Sequence, residues 1–560
     1  MKARNQKGQP LWRLAFELNE SAKSLTAQSA DSAVLTSPVK TGIRFTACIS
    51  WDKGIGRGQI IVVDTVWVFG SDSEASVAFV EVPGSFDVYP ILNKGAVVIA
   101  FGAVLIAGGD GNILRLVRGD GGEEPSFPLT LSDTGAFKNL STLEPEEGVL
   151  AYEPNVSFWS DYAIKSRWVS VPDDTVGYDL NDPWQFPEGT VWVKHFDLPL
   201  ERGNPASTVR VETRFLVKTD NSAYGLSYRW NEAGTEATLV SEEGVDIDFQ
   251  VQTDQGPVNQ TWRIPSRTEC MQCHSPAAGY ALSFNTRQLN RDQMIDGQER
   301  NLLEHLSDIG ILDTNISEPD ALPQFYSVDD VEASLLSRVR SYLAVNCVSC
   351  HQPGAVASSS WDARPHIGLL ETGLVEGLPL NYGGDSDRRL IKPGELDLSV
   401  LLSRLSENHG FTRMPNVATN ELDQGGINLI TEWIDSVTTG FVLWQDDTFA
   451  DPESLEADPQ SDPYLDEQTN TFKYLVSTDA LDAGSVWQLD ALVDRDQVTL
   501  TVPVTQNRSY EIQVSDDLEN WSVWPTPGNP FQVGEELVAS VPVTGPYASN
   551  RFFRVQVSEQ

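Results

Sequence analysis

Cys270-Met271-Gln272-Cys273-His274 and Cys347-Val348-Ser349-Cys350-His351 are two copies of one pattern, C-x-x-C-H. Two thiols three positions apart can each form a thioether with one vinyl group of a porphyrin, and the adjacent histidine then offers an imidazole nitrogen to the iron. The pattern predicts two covalent haem c groups. Cys270, Cys273, Cys347 and Cys350 would be the attachment points, and His274 and His351 the proximal ligands. C-x-x-C alone also serves zinc sites and redox dithiols. Here four of the five cysteines fall into the two copies, and both copies run on into histidine. A zinc site made from the four thiolates would leave those histidines unexplained.

The second haem can be specified furthest. Met414, in Arg413-Met414-Pro415, lies just before a strongly helical segment, where a soft thioether would complete a His/Met pair. Of the chain's four methionines, Met1 is terminal and Met271 sits inside the first motif. His/Met ligation closes the iron and raises its potential, which suits outer-sphere electron transfer. For the first haem the alternatives stay open: Met294, His305 and His195 are candidates for its sixth ligand, and a vacant position is the fourth. Met294 stands in a polar stretch, His305 on an amphipathic helix where a lone histidine is more often structural, and His195 in a predicted strand. A vacant position would call for a nearby acid–base group. Only Glu304, Asp308 and His305 come into question within 263–325. His366 and His409 read as surface or supporting residues.

These residues must be positioned by a chain of 560 residues, long enough for several domains. The net charge of −41 excludes a general nucleic-acid binder and argues against docking on anionic lipid. It favours a basic partner or a solvated acidic surface. Beyond the motifs only Cys48 remains, so no disulfide framework is expected. The longest apolar run, Gly95–Gly108, is too short to cross a bilayer and reads as two buried strands, so no transmembrane segment is predicted. Haem c is attached outside the cytoplasm, which implies a periplasmic or extracellular location. Met1–Phe16 has basic residues but no apolar leader core, so the natural start is expected upstream, or the chain is a piece of a longer precursor.

Periodicity predicts a multidomain α+β chain. Residues 1–40 are expected to be poorly ordered and 41–118 β-rich, with Gly108-Gly109-Asp110-Gly111 as a hairpin turn. A β-sandwich is predicted over 119–262, a first haem segment over 263–325, and a helical haem domain over 326–440. That domain should hold one helix from Ser327 to Val345 running into Cys347 and another from near Asp423 carrying Ile427, Ile430, Trp433 and Ile434. Residues 441–475 have the acidic, Pro-rich composition of a linker, and 476–560 predict a small C-terminal β-sandwich. Asp462–Lys473 resembles a degenerate calcium loop, but Tyr464, Glu467 and Lys473 replace residues the ion needs.

Two resemblances follow from these motifs. Residues 326–440, with an entry helix, C-x-x-C-H, a methionine and an exit helix, resemble a complete class I cytochrome c domain. Over about 125–437 the stretches FPLTLSDTGAFKNL, YEPNVSFWSDYAIKSRWVSVP, GTVWVKHF, VETRFLVK, YGLSYRWN, RTECMQCHSPAAGYALSFNTRQLNR, NCVSCHQPG and RMPNVATNELDQGGINLITEWI resemble an uncharacterised bacterial family of secreted di-haem c-type cytochromes. Some of its members follow a sugar-dehydrogenase-like propeller, of which GDGNILRLVRGD would be a remnant. The resemblance implies an electron-transfer protein outside the cytoplasm. Its partners would be redox proteins, among them a quinoprotein-type dehydrogenase or basic cytochromes. The alternatives are a di-haem peroxidase or oxidase with an open first haem, and a secreted binding or attachment protein carried by its β-modules.

Overall fold

The computed structural model describes residues 127–560 except 173, 358–360, 495–496, 525–527, 533–537 and 545–551, and within 1–126 the backbone of eight strands. The chain divides into two units, residues 1–127 and 128–560. In the first, Trp12–Leu18, Phe45–Trp51 and Ile61–Val63 form one antiparallel sheet, and Val97–Ala100, Ala103–Ala107 and Ile113–Val117 another. The apolar run is two strands, as its length requires. Within 1–40, which the sequence reads as poorly ordered, the described backbone is the strand Trp12–Leu18. The rest of 1–40 and the turn at 108–111 lie outside the described residues.

The second unit is mixed and β-rich, with antiparallel ladders and, among the described residues, eight α-helices. Its centre is a six-stranded meander: β1 (Leu150–Ala151), β2 (Ile164–Ser170), β3 (Val191–Pro199), β4 (Thr208–Lys218), β5 (Ala223–Trp230) and β6 (Ala237–Leu239). A hairpin, β7 (Val245–Thr253) and β8 (Gly256–Ile264), brings Trp262 and Ile264 against Phe196, Leu198 and Val211 of the sheet. This is one sheet with a hairpin over one end, where the sequence predicts two full layers. The remainder of the covered face packs on Phe284, Leu289, Leu302, Leu303 and Leu306, from the first haem segment. That segment carries the apolar side chains that a second sheet would have supplied.

The segment holds α1 (Arg267–Cys273), α2 (Thr286–Leu289), a hairpin of β9 (Asp292–Ile295) and β10 (Gln298–Asn301), and α3 (Leu302–Asp308). The next core is built on α4 (Leu335–Cys347), α5 (Val400–Leu405) and α6 (Gln424–Ser436). As expected, α6 starts after Asp423, whose carboxylate accepts from Gly426 N, and it buries Ile427, Ile430, Trp433 and Ile434. α4 begins eight residues later than the periodicity predicts. Ser334 caps it by accepting from Ser337 N at 3.0 Å, while Val331 is 79% exposed and the Val328 carbonyl accepts from Arg338.

The acidic stretch 441–475 is not a free linker. α7 (Thr439–Thr448) adds Phe441 and Val442 to the helical core, and α8 (Asn470–Val476) buries Lys473, whose ammonium meets Asp466 at 2.7 Å. Lys473 thus supplies the positive charge a calcium ion would bring. Beyond it, β11 (Asp490–Asp494), β12 (Gln497–Pro503) and Val538–Thr544 form one small sheet, and Arg508–Ser515 pairs with Phe552–Glu559 in another. Leu500, Val502, Tyr510, Ile512 and Val514, from both sheets, form one core.

Candidate functional site

The first C-x-x-C-H occupies α1 and its exit. Ser266 caps the helix: its hydroxyl accepts from Glu269 N at 3.1 Å, and the Glu269 carboxylate accepts from Ser266 N at 2.7 Å and from Arg263 at 2.8 Å. Positions three apart share a helix face, so Cys270 and Cys273 present their thiols together. The helix lies directly on β5. A Cβ at Gly225 would stand 3.1 Å from the Cβ and Sγ of Cys270, so any side chain there would push the motif off the sheet.

His274 ends the helix, with its N–H bonded to the Cys270 carbonyl at 3.0 Å. A turn through Pro276–Ala278, closed at Gly279, returns the chain so that His274 Nδ1–H donates to the Tyr280 carbonyl at 2.5 Å. Fixing the proton on Nδ1 leaves the Nε2 lone pair to bind a metal. Burial, outweighing that bond, pushes His274 down to about 4, with Lys194 and Arg214 adding to the effect. The ring is neutral at physiological pH, as a ligand must be.

The second motif follows from α4. His351 N bonds to the Cys347 carbonyl at 2.8 Å, and the His351 carbonyl accepts from Ala363 N at 2.8 Å. Its ring stacks on Trp361, with centroids 4.7 Å apart. Burial and the nearby Arg404 push His351 down to about 4. Met414 is half-buried in the loop before α6. Its N–H bonds to the carbonyl of that same Arg404 at 3.0 Å, and it lines a small cavity with Tyr342, Leu405 and Ile427. Arg413 anchors the loop through the Thr419 and Glu421 carbonyls.

The two motifs meet. The thiols of Cys273 and Cys350 are near enough to act on each other, and this interaction holds Cys350 below its ordinary range and pushes Cys273 up. The loops that follow also approach, since a Cβ at Gly354 would lie 3.8 Å from that of Ala277. Among the described residues no three His, Cys, Asp or Glu side chains converge as a group that could hold a metal ion. The donor set suits covalent haem instead: on each side, paired thiols followed by a neutral imidazole.

The candidates for the first iron's sixth ligand are dispersed. Met294 is 67% exposed on β9. His305 is half-buried on α3, and the charges acting on it, Arg300, Asp296 and Asp308, all belong to the adjoining hairpin and helix. His195 is corrected outright. Its Nδ1 meets Thr213 Oγ1 at 2.8 Å and its Nε2 meets Asp197 at 3.3 Å. Strand alternation also turns it away from Lys194, which lies on the face that α1 covers.

Sequence reasoning missed what lies on that covered face. Arg167, Lys194 and Arg214 stand directly opposite one another on β2, β3 and β4, with Lys165 two positions along β2. The signal was present as basic residues at inward positions of predicted strands, but a charge in a strand reads by default as solvent-facing. A cleft of about 390 Å³ lies beside the first motif, lined by Pro276, Ala277, Tyr280, Lys218, Asp182 and Asp220 among others. No family model, curated protein or solved structure matches the chain.

Proposed function

We propose that this chain is a di-haem c-type cytochrome that relays electrons outside the cytoplasm. One observation carries the reading: two C-x-x-C-H motifs, each ending in a half-buried histidine, lie side by side, with the loops that follow them approaching at Ala277 and Gly354. Haem, when bound, supplies a one-electron carrier at each motif. Cys270 and Cys273 would hold the first group with His274 beneath it, and Cys347 and Cys350 the second with His351 and Met414. The protein's own contribution is to fix tautomer, distance and access. The Tyr280 carbonyl orients His274, Trp361 packs on His351, and the approach of the two motifs would place two bound carriers near each other.

On this reading residues 326–440 are a class I-like cytochrome domain, residues 127–264 a β-platform for the first haem, and 476–560 a small β-sandwich module. The partners are redox proteins, with a quinoprotein-type dehydrogenase or a basic cytochrome fitting the charge. The test is a pyridine haemochrome assay on protein exported from a host that matures c-type cytochromes. Two haems per chain are expected, and one in a Cys347→Ala/Cys350→Ala variant. Wild-type protein with no haem would overturn the proposal.

A second reading, a di-haem peroxidase or oxidase, is favoured by a different observation. His195 is engaged on the far face, Met294 is exposed, and a cleft opens beside Tyr280. A high-spin ferric signal from one haem together with peroxide turnover would select it. Low-spin spectra from both haems would reject it.

A further inference from the structure

Like charges placed directly opposite on neighbouring strands repel, and burying them without partners is costly. The covered face of the central sheet sets like charges opposite one another and leaves most of them without a counter-ion. Arg167 pairs in register with Lys194, and Lys194 with Arg214. Arg167 is 5% exposed, while Lys165, Lys194 and Arg214 are half-buried. Glu212 holds Arg214 at 2.5 and 2.9 Å and also accepts from Trp262 Nε1 at 3.1 Å, while Lys165 donates to the Phe158 carbonyl at 3.0 Å and Arg167 to the Ser157 hydroxyl at 3.4 Å, neither of them an anion. Among the described residues no ion pair reaches Lys165, Arg167 or Lys194.

The nearest acids are already engaged. Asp161 accepts from Asn420 N and Glu421 N, and Asp423 caps α6. Lys194 has only ring faces beside it, Phe158 at 5.5 Å and Phe196 at 5.0 Å. Two buried donors of the same face, Arg167 Nε and Trp192 Nε1, have no acceptor. The result is a patch of donors and positive charge inside a protein of net charge −41. It lies under the first motif, because α1 packs on β5 at Gly225 and both Lys194 and Arg214 act on His274.

We propose that the row Arg167–Lys194–Arg214, with Lys165, is a carboxylate-binding site that takes the propionates of the haem held by Cys270, Cys273 and His274. The proposal rests on the di-haem reading and adds to it the seat and orientation of the first group, propionates inward over the sheet. Burial, with repulsion inside the row, pushes Lys194 well below its ordinary value and Lys165 down to about 7, so an added anion would restore what the fold withholds.

The test uses the exported protein with both haems, and reads haem content and the two midpoint potentials by spectroelectrochemical titration. Lys194→Met and Arg167→Gln should each keep two haems and lower one potential by about 59 mV, a tenfold change in a one-electron equilibrium. Losing a nearby cation favours the oxidised, less negatively charged balance at the iron. Arg229→Gln, an exposed position beyond the row on β5, should move neither. Two haems with both potentials unchanged in both row variants would overturn the proposal and leave the di-haem reading standing. Wild-type protein without haem would overturn both. If added acetate shifts the wild-type potential and Lys194→Met abolishes that response, the site takes free carboxylates and the propionate assignment falls. In case the variants do not fold, ¹³C-labelled haem propionates in the wild type provide a second measurement. They should stay ionised below the pH at which a free propionate takes up its proton, and ordinary titration would overturn the assignment.

Discussion

A histidine that is to bind iron must offer one nitrogen and hold the other still. His274 does so through the Tyr280 carbonyl, and His351 is held by its stack on Trp361. Their identity is legible in sequence because C-x-x-C-H fixes it by covalent geometry, but the contacts that orient them are not, since they come from turns closed by backbone. Met414 belongs to the same scale. Its amide is tied to the carbonyl of Arg404, the residue whose charge acts on His351. If Met414 is the sixth ligand, Met414→Ala removes a bond that favours ferrous iron. The expected result is a fall of one potential by 59 mV or more, about tenfold in the one-electron equilibrium, with a change in that haem's visible spectrum. An unchanged spectrum and potential would reject the assignment. His195, by contrast, could not have been placed from sequence. Its neighbours Thr213 and Asp197 fix it on the face of the sheet opposite the first motif, and strand register decides that.

Elements decide whether those residues arrive. α4 delivers Cys347, and α6 crosses it where a Cβ on Gly426 would stand 2.2–2.4 Å from the Tyr342 ring. Tyr342 is 3% exposed and has nowhere to swing. Gly426→Ala should therefore force the helices apart, costing about 1–3 kcal/mol in denaturant unfolding, and should reduce incorporation of the second haem more than the first. Equal loss at both motifs would count against this local account. α1 depends on its cap. Burial raises the Glu269 carboxyl, but bonds from Ser266 and Arg263 outweigh it and leave the group below its ordinary value. A depressed carboxylate contributes stability above its unfolded value, near 4.5, that is lost as pH falls through the folded one. Glu269→Gln should cost about 1 kcal/mol at neutral pH, and the gap to wild type should close once the solution is acid enough to protonate the folded carboxyl. A gap that persists there would mean the glutamate acts by shape. α6 was legible because its apolar stripe and cap agree. The start of α4 was not, because Val328 and Val331 continue its rhythm while Ser334 holds the cap. The stretch 441–475 misled for another reason: acidic composition describes its surface, and Phe441, Val442 and Lys473, which anchor it, are few.

At the scale of the whole molecule the sequence speaks mainly through charge. Eighty acidic residues stand against thirty-nine basic ones, and several of the basic ones line the covered face of the sheet. Asp182 and Asp220 flank the cleft beside the first motif. An electron carrier with such a field attracts a basic partner over a distance set by ionic strength, roughly 30 Å at 0.01 M and 8 Å at 0.15 M. Steering of this kind changes association rates by about 10–10³-fold. The second-order rate of electron transfer to a basic small cytochrome should then fall at least about tenfold between those two salt concentrations, as followed by stopped-flow absorbance. Transfer to an acidic acceptor should rise over the same range, because screening removes repulsion. The opposite signs matter more than either slope. If both rates fall or both hold constant, the acidic surface is only a solvated shell and docking is set by shape. If they diverge, the acidic field itself selects the partner.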